Sequence, residues 1–149
     1  MKTIDIGCGS GPKRPAKGYD MYCDVIRPRP GVILPTPYVQ CPMEDMSCFK
    51  DKEFDFARCH HVIEHCSEPD KACAEIIRIA KAGILSFPPP QAEMMFGRRD
   101  HHWFVFVDRG RLLFVKKRHA CYGVPRAVTR CELNVNFEWK GDFQWQVVT

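Results

Sequence analysis

The chain has 149 residues, a net charge of +4 and 45% hydrophobic residues, an ordinary composition for one globular domain. The longest apolar runs are only as long as a strand, which excludes a membrane-spanning helix, and Met1–Asp5 lacks the apolar core of a secretion signal. Nine cysteines, an odd number without a CxxC pair, indicate free thiols in a reducing compartment. We therefore predict a single cytoplasmic domain over residues 1–149.

A glycine-rich loop joins the first two predicted strands, residues 3–6 and 18–24. The loop sequence, GCGSGPKRPAK, contains two prolines and no apolar periodicity, so we expect no helix within it. Backbone that carries so few side chains is suited to close contact with a ligand. Three glycines alternate in the loop and an acid stands on each side of it: Gly7, Gly9, Gly11, Asp5 and Asp24.

The clearest helix signal begins at Ser67, which forms a capping-box pattern with Asp70. Pro69 lies in the first turn, where its missing N–H costs nothing. Apolar residues then recur with helical spacing, and Gly83 is the predicted C-terminal stop. A buried strand follows over residues 84–87 and ends before three prolines.

The remaining strands indicate the fold class. Short strands are predicted near residues 32–34 and over 53–59, and the turn at 108–110 joins two more. Apolar residues alternate over 133–140 and again over 143–147, which predicts a hairpin whose aromatic side chains form a buried face rather than a surface for stacking bases. The pattern indicates an α/β domain with a mostly parallel sheet and an antiparallel C-terminal edge.

The glycine loop does not fit a ligand bound through phosphates. The third glycine comes one residue earlier than in the GxGxxG fingerprint, Pro12 stands where that fingerprint has glycine, and no Gly-Lys-Ser/Thr ends the turn. S-adenosylmethionine has no phosphate, and its ribose hydroxyls suit a carboxylate at the end of the second strand. Asp24 occupies that position.

The sequence resembles the class I S-adenosylmethionine-dependent methyltransferases, especially small members related to the quinone-biosynthesis type. IDIGCGSG is similar to the first motif of that family, MEDMSCFKDKEFDFARCHHVIEHC to its middle segment, and EPDKACAEIIRIAKAGILSFP to its following helix and strand. The resemblance covers residues 4–90 and implies a reduced, doubly wound Rossmann-like sheet with the cofactor across the carboxyl ends of the strands.

The resemblance also implies roles for individual residues. Pro42 stands where relatives often carry an acid that contacts the adenine amino group, and Glu44 is the nearest substitute. The implied cofactor contacts are Asp5, Gly7, Cys8 and Gly9 at the methionine tail, Asp24 at the ribose, Met43 and Glu44 beside the adenine, and Cys59 and His60 over the amino-acid end.

The histidines of CHHVIEHC suggest either a metal or a base. His61 and His65 are one helical turn apart, but the pattern is not HExxH and no third ligand is evident, so we predict no metal site. Methyl transfer needs alignment and, for some acceptors, a base. His65 and His101 are the candidate bases, although His101 is also placed to pack beside Trp103.

The predicted function is methyl transfer from S-adenosylmethionine to an unidentified small molecule, protein or nucleic acid, with S-adenosylhomocysteine as product. The segments that cap the substrate in relatives are not evident before the first strand, so we expect a large acceptor or a homodimer to complete the site, and no membrane partner. One alternative is a cofactor-binding but inactive partner protein. Another is nucleic-acid binding through the basic stretches 13–17, 98–99 and 116–118.

Overall fold

Two β-sheets and two α-helices make up residues 1–10, 17–118 and 134–149, the part of the chain that the computed structural model describes. The helices are α1 (Pro69–Ile79) and α2 (Pro90–Phe96), and a 3₁₀ turn covers Ile63–His65. The strands are β1 (Thr3–Ile6), β2 (Met21–Asp24), β3 (Tyr38–Gln40), β4 (Phe56–His60), β5 (Ala82–Phe87), β6 (Trp103–Asp108), β7 (Arg111–Lys116), β8 (Val135–Lys140) and β9 (Trp145–Val148).

The larger sheet has the strand order β3-β2-β1-β4-β5-β8. The first five strands are parallel, and β8 runs antiparallel to β5. The first five positions repeat the order of a doubly wound, Rossmann-like sheet, in which ligands bind beyond the carboxyl ends of the strands at the point where the order reverses. That point lies between β1 and β4. The predicted fold class and antiparallel edge are confirmed.

The predicted hairpin over 133–140 and 143–147 is wrong, because its two strands belong to different sheets. β8 pairs with β5, whereas β9 runs parallel to β7 in a second sheet of order β6-β7-β9. Gly141 donates to Lys81 O (2.8 Å), and Gln144 O accepts from Leu112 N (2.9 Å), so the short connection is bonded first to one sheet and then to the other. Each of the two strands pairs with a strand that lies elsewhere in the sequence. The alternation of apolar residues alone does not identify that partner strand.

The aromatic residues of this segment form part of the core, as expected. Phe137, Trp139 and Phe143 are buried, and Trp145 is half-buried. One cluster of buried side chains contains residues of both sheets. Residue 133 lies outside the described residues.

The strand expected near 32–34 is also wrong, since the third strand is β3, at Tyr38–Gln40. Backbone pairing with β2 sets its position, and the Tyr38 hydroxyl lies 2.9 Å from Asp24 O and 2.6 Å from Ile26 O. The strand predicted over 53–59 is displaced toward the C-terminus as β4. Part of the loop that was expected to lack a helix, residues 11–16, lies outside the described residues.

Both ends of α1 differ from the capping prediction. Glu68 is the N-cap and makes no side-chain cap hydrogen bond, although Pro69 does begin the helix. The helix ends at Ile79 because Ala80 turns to extended backbone and bridges to Phe54. Gly83 is therefore a strand residue of β5 rather than the helix stop. A Cβ at this position would lie 2.3 Å from Ala57 O and 3.0 Å from Trp139 Nε1, so close packing requires glycine there.

The proline triplet ends β5 as predicted, but its last member begins α2, a helix that was not predicted from the sequence. Proline at the first helical position is favourable because that N–H has no partner within the helix. A proline signal can thus mark both the end of a strand and the start of a helix.

Arg78 and Glu75 fix α1 to the segment that follows β3. Glu75 Oε1 and Oε2 accept from Arg78 Nε (2.6 Å) and Nη2 (2.8 Å), and Oε2 also accepts from Met46 N (2.7 Å). Arg78 donates further to Met46 O and Phe49 O, each at 2.9 Å. Hydrogen bonds from Arg78, followed by that from Met46, lower the pKa of Glu75 below its ordinary value of 4.5 despite partial burial.

Glu75→Gln is expected to reduce the free energy of unfolding by about 1–2 kcal/mol at neutral pH, because charge-assisted hydrogen bonds are lost. Since the folded pKa of Glu75 is depressed, this contribution is present above pH 4.5 and is lost as the pH falls below it. Urea unfolding from about pH 7 to about pH 3 tests this.

Glu68→Gln on the same helix is the control, because its pair with Lys71 is exposed on both sides and worth little. Equal losses of stability in the two variants would contradict the role given to Glu75.

Candidate functional site

The glycine loop turns directly after β1 and is held against the end of β2. Cys23 O accepts from Gly7 N (2.8 Å) and Cys8 N (3.1 Å). Gly7 has φ +67°, and a Cβ on it would lie 2.2 Å from Val62 Cγ2. The loop backbone is thus in direct contact with the segment after β4, and a side chain at position 7 is excluded by both conformation and space.

The carboxylate of Asp24, at the end of β2, also binds the glycine loop. Its Oδ2 accepts from Gly9 N (2.8 Å) and its Oδ1 from Ile26 N (3.2 Å). An ionised carboxylate has about four lone-pair positions, so acceptor capacity remains for a ligand with hydroxyl groups. The Asp24 carboxylate therefore fixes the loop, and it also lies at the carboxyl ends of the parallel strands, where such sheets bind ligands.

A cleft of about 350 Å³ lies beyond the carboxyl ends of β1 and β2, within the usual size range of small-molecule sites. Glu44 also lines the cleft, and its Oε1 accepts from Ser67 N (2.7 Å) and Ser67 Oγ (3.0 Å). Five of the predicted site residues line this cleft together: Gly7, Asp24, Met43, Glu44 and His65.

Among the residues that the structure describes, the other predicted cofactor residues do not line the cleft. Asp5 is buried, and its Oδ1 accepts from Arg58 Nη1 (2.8 Å). Burial raises the pKa of the Cys8 thiol to about 12, and burial also raises the pKa of the Cys59 thiol well above its ordinary value. His60 is half-buried with its ring against that of His61. The cofactor contacts predicted for these residues and for Gly9 stay predictions.

The two candidate bases meet at one edge of the cleft. The His65 and His101 rings are 4.4 Å apart in an edge-to-face arrangement. His65 Nδ1 lies 2.9 Å from Asp100 O, and His101 Nδ1 lies 2.7 Å from Glu93 Oε2. Burial, and then the charge of His101, lowers the pKa of His65, which favours a neutral ring at physiological pH. Of these two histidines, only His65 lines the cleft.

The acids around these histidines were not predicted from the sequence. Glu64, next to His65, is fully buried. Glu93 is buried in α2 and also binds Lys117 Nζ. Glu64 was visible within CHHVIEHC, but nothing in the local pattern connects Glu93 with Lys117, because α2 was not predicted.

The family match follows the elements that form the cleft. Residues 4–87, more than half of the chain, match the profile of the methyltransferase domain family. The chain belongs to this family. The resemblance inferred from the motifs is therefore confirmed, and the matched region runs from β1 to the end of β5.

Three solved structures are similar to this methyltransferase domain. The YcgJ protein from Bacillus subtilis has 18% identity and a TM-score of 0.45, covering 59% of this chain and 44% of its own. An S-adenosylmethionine-dependent methyltransferase from Mesorhizobium loti has 13% identity and a TM-score of 0.44, covering 78% and 57%. The PH0226 protein from Pyrococcus horikoshii has 14% identity and a TM-score of 0.45, covering 96% and 66%.

The chain thus spans between 44% and 66% of the length of these three proteins. No curated protein matches the chain. None of the helices in the described ranges has the length and hydrophobicity that a membrane span needs.

Two of the basic stretches considered for nucleic-acid binding are partly neutralised within the domain. Lys117 is buried against Glu93, and Arg98 pairs with Asp100 at 2.7 Å. In the remaining basic stretch, residues 13–17, positions 13–16 lie outside the described residues. The described part of the chain thus presents fewer available cations than the sequence suggested, which weakens the nucleic-acid alternative.

Gly7→Ala is expected to destabilise the methyltransferase domain by more than the roughly 1–2 kcal/mol of a left-handed conformation, because its Cβ also collides with Val62. Adding Val62→Ala should recover part of the loss, a coupling of about 0.5–3 kcal/mol in a double-mutant cycle measured by urea unfolding.

Gly31→Ala is the matched control, since Gly31 has φ +81° but a Cβ added there would meet no atom within 4 Å. A Gly7→Ala variant no less stable than Gly31→Ala would refute the close approach of loop and Val62.

Proposed function

We propose that the domain binds S-adenosylmethionine in the cleft and transfers its methyl group to an acceptor, releasing S-adenosylhomocysteine. The observation that carries this proposal is the junction of the glycine loop and Asp24, where Gly9 N donates to Asp24 Oδ2 at the mouth of the cleft. The family match supports methyl transfer in general terms. The acceptor is unidentified.

The residues present fit the cofactor. Asp24 keeps lone pairs for the two ribose hydroxyls after its bonds to Gly9 and Ile26. Gly7 and Gly9 let the backbone approach the methionine portion. Met43 and Glu44 form the wall where an adenine would lie, with Glu44 fixed by Ser67.

The cofactor supplies an electrophilic methyl group on a positively charged sulfur. In the transfer, the bond between methyl carbon and sulfur would break as the bond to the acceptor forms, the electron pair would remain on sulfur, and the acceptor would lose a proton. The domain contributes mainly alignment of the two reactants, and a base where the acceptor requires one.

His65 is the side chain that we assign to proton acceptance. Its Nδ1 faces Asp100 O, which can only accept, so Nδ1 carries the hydrogen and Nε2 has the lone pair. Its lowered pKa keeps the ring neutral, at the cost of a weaker base. His101 lies behind His65, outside the cleft lining in the described residues, and we assign it a positioning role.

The alternative, a cofactor-binding but inactive partner protein, is favoured by one observation. Arg58 neutralises Asp5, so this acid offers little charge to the cationic end of the cofactor. Release of S-adenosylhomocysteine with any member of an acceptor panel supports the enzyme, and binding without release across the panel supports the alternative.

Cytoplasmic location and a homodimer also remain proposals. The cysteines among the described residues are all free, which supports a reducing compartment. A second copy of the chain or a large acceptor would cover the open side of the cleft.

S-adenosylmethionine and S-adenosylhomocysteine, each at about a hundred times its dissociation constant, should stabilise the domain by about 2.7 kcal/mol, or roughly 5–10 °C in Tm for this size. NAD, which needs a phosphate site, should give no shift. In Asp24→Ala the shift, measured against the unliganded variant, should be much smaller because the ribose loses its acceptor.

Asp20→Ala is the control for this experiment. Asp20 also accepts two hydrogen bonds at the start of β1, from Thr3 N (2.7 Å) and Thr3 Oγ1 (2.9 Å), but lies at the opposite end of the strand. Ligand shifts of the same size in both variants would contradict the assignment of Asp24.

Cys41 offers an independent probe of the cleft, which it lines. Hydrogen bonds from the thiols of Cys23 and Cys48 lower the pKa of Cys41 despite its burial, whereas burial raises that of Cys48 to about 11. We expect iodoacetamide to modify Cys41 and S-adenosylhomocysteine to protect it, with peptide mass spectrometry as the measurement.

The exposed Cys48 lies outside the cleft lining and reports non-specific effects. If ligand leaves the modification rate of Cys41 unchanged, the cofactor does not occupy this cleft.

A further inference from the structure

Glu64, His65 and His101 form a cluster that methyl transfer does not fully use. One ligand atom of each residue, a carboxylate oxygen or an imidazole nitrogen, lies within 4.8 Å of the other two. Glu64 and His65 come from the 3₁₀ turn after β4, and His101 comes from the segment just before β6. No metal site was predicted from the sequence because no third ligand was evident, and the fold brings one from a distant part of the chain.

Both histidines are oriented as metal ligands usually are. His101 Nδ1 donates to the Glu93 carboxylate (2.7 Å), which Lys117 holds in turn, and His65 Nδ1 donates to Asp100 O (2.9 Å). Neither acceptor can donate, so each neutral ring has its lone pair on Nε2. Metal-binding histidines almost always donate their other ring N–H to a carboxylate or a backbone carbonyl in this manner.

The burial of the Glu64 carboxylate is an independent indication that this cluster binds a cation. Glu64 is 1% exposed, and within the described residues neither of its oxygens accepts a hydrogen bond. The His61 Nδ1 atom lies 3.4 Å from Oε1, too far for a good hydrogen bond. A buried carboxylate that accepts no hydrogen bond costs several kcal/mol when ionised, and a bound cation would offset that cost.

We propose that Glu64, His65 and His101 bind one divalent transition-metal ion through a carboxylate oxygen and two Nε2 atoms. Two imidazoles and one carboxylate suit zinc, iron or cobalt better than magnesium or calcium, which prefer oxygen ligands. Three protein ligands leave at least one coordination position open. With the ion bound, His65 Nε2 is a ligand, so the base role proposed above applies to the metal-free domain only.

The test is titration of metal-stripped protein with Co²⁺, followed by its visible ligand-field absorption, and then competition with Zn²⁺. We expect one Co²⁺ per chain without the charge-transfer absorption of a cobalt–thiolate bond, since no cysteine belongs to the cluster. Glu64→Gln and His101→Asn should each weaken binding at least tenfold. His102→Asn is the control, because its side chain is exposed and outside the cluster.

Stability measurements separate loss of the site from loss of the fold. Without metal, Glu64→Gln should be about as stable as the wild type, because glutamine is nearly isosteric with glutamate and, within the described part of the chain, the Glu64 oxygens accept no hydrogen bond that the variant would lose. Zn²⁺ should raise the Tm of the wild type and of His102→Asn, and leave that of Glu64→Gln unchanged.

Three results would overturn the proposal: no Co²⁺ binding at about millimolar concentration, equal affinity in Glu64→Gln and wild type, or thiolate absorption that persists in both cluster variants. Neither activity nor S-adenosylmethionine enters these measurements. Failure of the metal site therefore does not affect the cofactor proposal, and the converse also holds.

Discussion

The hydrogen bond from Gly9 N to Asp24 Oδ2 is the constraint on which the cleft depends. It joins the loop after β1 to the end of β2, the two places where a parallel sheet of this order presents its ligand side. The loop can approach Asp24 only because Cys23 O binds its first two amides and because Gly7 carries no side chain toward Val62. The Asp24 carboxylate orders the loop and still has acceptor capacity for a ligand. Ligand binding at this carboxylate therefore depends on the local stability of the turn.

The second sheet completes the site although it lies beyond the region that matches the family. Trp103, at the start of β6, donates from Nε1 to Cys66 O (2.8 Å), which anchors this sheet to the end of the 3₁₀ turn. That contact brings His101 against His65. Glu93 of α2 then holds His101, and Lys117, the residue after β7, holds Glu93 in turn. The matched region supplies the cleft, and the remainder supplies most of the groups that surround the two histidines.

Whether a feature of the structure could be predicted from the sequence depends on how far apart in the chain the interacting residues lie. Strands β1, β2, β4 and β5, the position of Pro69 in the first turn of α1 and the position of Asp24 after β2 depend on residues close together in the chain, so local patterns indicate them. The predicted position of β3 was wrong because the position of this strand is set by pairing with β2. The partners of β8 and β9 depend on distant edges, and alternation is the same for either choice. Gly83 was misassigned because a glycine can end a helix or admit close packing in a strand, and only the positions of Ala57 O and Trp139 in the folded sheet distinguish the two.

His65 connects the cleft with the histidine cluster, and this limits what its substitution can reveal. Its ring lines the cleft and is also one of the three potential ligands, so any replacement changes both. Asp24 and Glu64 do not have this ambiguity. Asp24 contacts the glycine loop and the cleft, whereas Glu64 is buried behind the lining and faces the histidines. On the two proposals above, Asp24 acts on the cofactor and Glu64 on the metal ion. Effects on ligand affinity that add in the Asp24–Glu64 double variant would then indicate independent sites, and a coupling would indicate that occupancy of one site affects the other through His65.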